Sequence, residues 1–218
     1  MSFLQRLNAE QLRLSGAAIR ILGFYIAITT AAYFYLDVFH FENDTAYVWL
    51  GFGVWGLGFI AFVETMNRGC LFSHGKKAGV GSYFAISAVI SIFVALGAIA
   101  LILPGLYLLI RWLGAYARVL ASDDGVGNSM RWSWDKTESV QRDISISLVI
   151  PVLIFCSGIL LRLVYDQYYE VFDWNGFYAV SLIWNSLESL ASAWMIVLAA
   201  AVFSCLEGLD QKTEQTFE

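Results

Sequence analysis

Charge is scarce in this chain. Lys, Arg, Asp and Glu supply 14% of 218 residues, where a soluble domain carries about 25%. That shortage excludes an ordinary water-facing surface, so most of the exterior must meet something apolar. Histidine is scarcer still: His40 and His74 are the only two. Neither falls in a long apolar segment, which excludes axial ligation of a haem or chlorophyll there. The three cysteines, Cys70, Cys156 and Cys205, lack any paired spacing, which argues against a zinc or redox motif. The phosphate-loop GK[ST] signature, HExxH and GxSxG are all missing. No basic n-region with a short apolar run and cleavage site opens the chain, so the first apolar run reads as retained. Catalysis, a resident metal and a cofactor are therefore not expected.

What is present is grease: 59% of the residues are hydrophobic. A bilayer core takes roughly 20 apolar residues per helix, and six such stretches use up most of the chain. They run at about Ala17–Val38, Thr45–Met66, Val80–Leu103, Leu106–Ala121, Ile144–Val164 and Phe177–Leu206. The spacing predicts an all-α, polytopic helix bundle forming a single integral membrane domain over residues 1–218. Residues 1–15 read as an amphipathic helix at the membrane surface or as an extension of the first span. Residues 207–218 read as a polar tail. The fourth segment is barely long enough to span. All thirteen Lys and Arg except Arg162 fall at the N-terminus, in the Arg68 and Arg131 loops, on the fourth segment or in the tail. The positive-inside rule then places both termini in the cytoplasm and His40 and His74 on opposite sides.

The sequence turns on Leu103-Pro104-Gly105. Pro104 and Gly105 read as a helix break after the third segment. Beyond it, Tyr107, Arg111, Gly114 and Arg118 share one helical face, and Met130–Arg142 forms a second amphipathic piece. On the sixth segment Ser181, Asn185, Glu188 and Ser192 also share a face. Charges inside a membrane are costly and draw attention by default. The expectation is a buried ion pair of Arg111 with Glu188, fastening the bundle. One acid is too few for a proton relay. On the second segment Gly53, Gly56, Ile60 and Glu64 form a face expected to lie against protein. Arg118, Arg131 and Lys136, beside Trp132 and Trp134, are candidates for lipid headgroups. Tyr165, Tyr168, Tyr169, Phe172 and Trp174 make an aromatic outer loop suited to partner docking.

The run Leu103-Pro104-Gly105-Leu106-Tyr107, Arg111, Asp123-Asp124-Gly125-Val126-Gly127, Ser133-Trp134 and Thr137 resembles a known pattern. It is similar to the six-helix membrane domain attached to some bacterial glycerophosphoryl diester phosphodiesterases, and to YciC-like inner-membrane proteins. The resemblance covers about thirty-five residues. It departs at Trp132, which stands where the family places a base directly before Ser-Trp. The phosphodiesterase domain is missing, so hydrolysis is not implied. What the resemblance implies is a six-helix fold beside lipid in a bacterial inner membrane.

Two functions are expected to compete. One is a non-enzymatic accessory, scaffold or assembly subunit of a larger membrane complex. The other is a phospholipid-binding or lipid-transport protein. The expected partners are membrane lipids and other integral membrane proteins, with no nucleic acid.

Overall fold

The computed structural model describes the chain apart from residues 1, 40–43, 73–78, 101, 123, 169–173 and 218. Where polar side chains are few, each segment closes its own backbone hydrogen bonds by coiling. The described residues accordingly form helices and no strand. These are α1 (Phe3–Phe39), α2 (Asp44–Arg68), α3 (Val80–Ala100), α4 (Ile102–Trp112), α5 (Ala115–Ala121), α6 (Val126–Thr137), α7 (Gln141–Tyr168) and α8 (Trp174–Phe217). A 3₁₀ turn, Glu138–Val140, joins α6 to α7.

Five helical stretches are long and apolar enough to cross a membrane: Phe3–Phe39, Thr45–Arg68, Val80–Gly97, Val126–Tyr165 and Gly176–Gly208. The last is the most enclosed. Its most apolar window is 67% buried, against 11–28% for the other four. The others turn large side chains outward, among them Ile92, Leu96 and Ile99 on α3 and Leu153, Leu160 and Leu163 on α7.

The expected fourth segment, Leu106–Ala121, is divided. α4 has 11 residues and α5 has 7, and each alone is shorter than a span needs. The joint lies at Leu113–Gly114, where a Cβ on Gly114 would make ordinary contacts, 3.4 Å from Ser133 Oγ and 3.6 Å from Leu206. Pro104 does not end a helix. It lies in the first turn of α4, where its missing N–H would have had no helical partner anyway. α3 is described to Ala100 and α4 from Ile102.

The chain divides into two compact units, each assembled from separate stretches. The first comprises Met1–Ala18, Phe62–Ser147 and Val197–Glu218; the second comprises Ile19–Ala61 and Leu148–Ile196. In the first unit, Phe3, Leu7 and Leu14 are buried. Residues 3–15 are the start of one unbroken α1 rather than a separate helix, and their apolar face is covered by protein. The second unit is built from parts of α1, α2, α7 and α8.

Backbones approach closely in the first unit, where α3 meets α4. A Cβ on Gly97 would lie 2.9 Å from the Gly105 nitrogen and 3.0 Å from its Cα. The second helix behaves otherwise. Gly53 and Ile60 are exposed, and a Cβ on Gly51, Gly53 or Gly56 would meet nothing within 4 Å. The expected packing face on α2 is therefore turned outward. A glycine run marks where close approach is permitted, not where a neighbour stands.

These two environments separate by substitution. Gly97→Ala drives a methyl into backbone that cannot yield, and is expected to cost about 1–3 kcal/mol. Gly53→Ala has room and gains helix propensity, so it should be neutral or stabilising by up to about 1 kcal/mol. Unfolding midpoints in mixed detergent micelles report both.

Candidate functional site

The conspicuous sequence motif of the first unit converges on one residue. α4 ends inside protein, so its last carbonyls need partners. The Arg111 carbonyl receives two: Ser133 Oγ donates at 2.8 Å and Thr137 Oγ1 lies at 3.3 Å. Ser129, Ser133 and Thr137 recur every fourth residue, and all three are fully buried. They make the packed stripe of α6. Trp134 projects beside that stripe and takes the Arg111 guanidinium, whose carbon lies 4.5 Å from the indole centroid and 6.0 Å from that of Tyr107. Such cation–π contact is worth about 2 kcal/mol when desolvated. Trp112 continues the aromatic set, 5.8 Å from both Trp134 and Phe93.

Arg111 is 3% exposed, yet the carboxylate nearest to it is Glu138, 3.9 Å away and 79% exposed. Pairs of that kind contribute little. Of the two residues expected to pair, Arg111 lies in the first unit, where the α4–α6 packing sets an indole on its guanidinium, and Glu188 lies in the second, where Arg162 is the neighbouring cation.

Arg118 sits on α5 in a denser charge cluster. Its Nε donates to Asp124 Oδ2 at 2.7 Å, its Nη1 donates to Glu207, and its guanidinium lies 5.0 Å from the centre of Trp132. Trp132 also contacts Phe203. Beside this cluster is a cavity of about 460 Å³ lined by Cys70, Phe72, Arg118, Ser122, Phe203 and Glu207, among others. Ser204, on the same wall, donates to Glu10 at 2.6 Å, and Arg13 grips that carboxylate with two nitrogens at 2.6 and 2.8 Å. Two carboxylates thus hold the arginine expected to meet a phosphate. The headgroup set is also divided: Trp132 serves Arg118, Trp134 serves Arg111, Lys136 is half-buried and Arg131 is exposed.

The second unit contains a residue the sequence did not single out. Asp37 is 5% exposed and accepts four hydrogen bonds. Tyr47 Oη donates to Oδ1 at 2.9 Å. Ser181 Oγ, Trp184 Nε1 and Asn185 Nδ2 donate to Oδ2 at 2.8, 3.1 and 2.7 Å. One carboxylate thereby ties α1 to α2 and α8. The polar face read on the sixth segment is real, and it divides in use. Ser181 and Asn185 serve Asp37. Glu188 and Ser192 line a cavity of about 200 Å³ with Tyr25, Tyr33 and Phe155.

Of the expected docking aromatics, Tyr165 packs within the second unit, 5.2 Å from Phe177 and 5.7 Å from Trp184. Tyr169 and Phe172 lie outside the described residues, and Tyr168 and Trp174 are described only as helix ends. No group of three metal-ligating side chains occurs among the described residues.

Asp37 yields a graded test. Asp37→Ala strands four donors, each costing about 1–3 kcal/mol when buried unpaired, and should lower stability by about 3 kcal/mol or more. Asp37→Asn keeps an oxygen for Ser181, Trp184 and Asn185 and turns its amide to the Tyr47 hydroxyl, which can accept. It should lose less than half as much. Equal losses in micelle unfolding would show that packing, not hydrogen bonding, holds this point.

No family model matches the chain, and no curated protein or solved structure is significantly similar to it.

Proposed function

We propose that the chain is a non-enzymatic, multi-pass protein of the bacterial inner membrane, acting as an accessory or assembly subunit of a larger membrane complex. In this reading α4 and α5 together make the return crossing between α3 and α6. That gives six crossings with both termini in the cytoplasm, as the distribution of bases suggests. The likeness of residues 103–137 to the YciC-like family supports the same context. The observation that carries the reading is what the buried polar groups do. Asp37, the Arg111 carbonyl, Ser133 and Thr137 all bond to neighbouring helices. Groups so engaged fix a shape. The apolar faces of α3 and α7 are what such a shape offers to lipid or to partner helices.

A phospholipid-binding role is the second reading, favoured by the 460 Å³ cavity beside Arg118. Because Asp124 and Glu207 neutralise that guanidinium, the site suits a zwitterionic headgroup better than an anionic one.

Extraction from native membranes into lipid nanodiscs tests the first reading. Light scattering should give a protein mass above the 24.4 kDa of one chain, with one further polypeptide at constant stoichiometry through salt washing. A lone 24.4 kDa species would overturn it. Native mass spectrometry tests the second: bound phospholipid should fall on Arg118→Ala. For the topology, a cysteine introduced near residue 172 should be labelled from the side opposite one introduced near residue 76.

A further inference from the structure

The cavity around Glu188 has a composition that the fastening role does not explain. Three features define it. The first is an unmatched carboxylate. Among the described residues Glu188 makes no hydrogen bond, and the nearest cation, Arg162, is itself exposed and held 5.8 Å over the Trp184 ring. Asp37 is the other carboxylate nearby, and its four donors are neutral groups. Among the described residues, two acids thus face one base. Glu188 is half-buried, and a partly desolvated carboxylate favours a cation beside it. The second feature is aromatic walling: Tyr25, Tyr33 and Phe155 border the same space. The third is size. About 200 Å³ is too small for a lipid but holds a handful of non-hydrogen atoms.

We infer that this cavity binds a small substituted ammonium ion, with Glu188 as its counter-ion and the tyrosine and phenylalanine rings around its methyl or methylene groups. A carboxylate and ring faces together are the recognition set for an alkylated ammonium. They suit an inorganic cation poorly. Sodium or potassium needs several oxygens to replace its water, and the hydroxyls here are partly committed. Thr29 Oγ1 donates to the Tyr25 carbonyl at 2.7 Å, and Ser192 pairs with the Tyr25 hydroxyl. A proton path is ill served too, since Glu188 is the one carboxylate among the residues that line the cavity. The inference concerns a ligand of this protein and does not depend on the accessory role or on the number of crossings.

The test uses the full chain in detergent, with tetramethylammonium chloride and choline chloride as probes and sodium chloride at equal ionic strength as the reference. Both organic cations should raise the unfolding temperature saturably, as ligand linkage requires. Both should also protect Glu188 from a hydrophobic carbodiimide, read by peptide mass spectrometry. Glu188→Gln should weaken the thermal response about tenfold or more, and Phe155→Ala should weaken it in a protein with its carboxylate intact. Equal protection by sodium would overturn the choice of ligand. Absence of protection in the wild-type protein would overturn the site, and that measurement needs no variant to fold.

Discussion

A helix that stops inside a protein leaves carbonyls facing nothing, and the first unit is arranged around one such end. α4 closes at Trp112, and the Arg111 carbonyl takes hydroxyls from Ser133 and Thr137. To supply them, α6 has to present small polar residues every fourth position and lie close against α4. That closeness brings Trp134 onto the arginine. The division of the fourth segment, the register of α6 and the aromatic seat of Arg111 are one constraint met in several places.

The second unit solves a similar problem with a single acid. Asp37, on α1, reaches two other helices through four donors, each from a different side chain. An ionised acceptor makes stronger hydrogen bonds than a neutral one. Small residues and hydroxyls, rather than paired ions, do most of the joining in both units. Where guanidinium and carboxylate do meet closely, at Arg118, Arg13 and Arg68, the groups are partly exposed.

Hydropathy made the long helices legible because burial in an apolar medium leaves a run of apolar residues wherever it occurs. The polar face of the sixth segment was legible for a related reason: Ser181, Asn185, Glu188 and Ser192 keep helical spacing within one element. The partner of that face was not legible. Asp37 stands 144 residues before Ser181, at the end of an apolar run, where an acid reads as part of a solvated turn. No local period records a bond between distant elements. The same holds for the indole of α6 that Arg111 meets. The glycines of α2 misled in the opposite direction, since open space and tight packing both tolerate them.

The joint at Arg111 has one more property. It is made of two hydroxyls, a carbonyl, a guanidinium and indole faces. Dissolved ions have little hold on it, because its charge is sequestered under ring faces. A rise in salt would slacken the partly exposed cluster at Arg118 first, leaving this elbow of the chain with an unchanged angle.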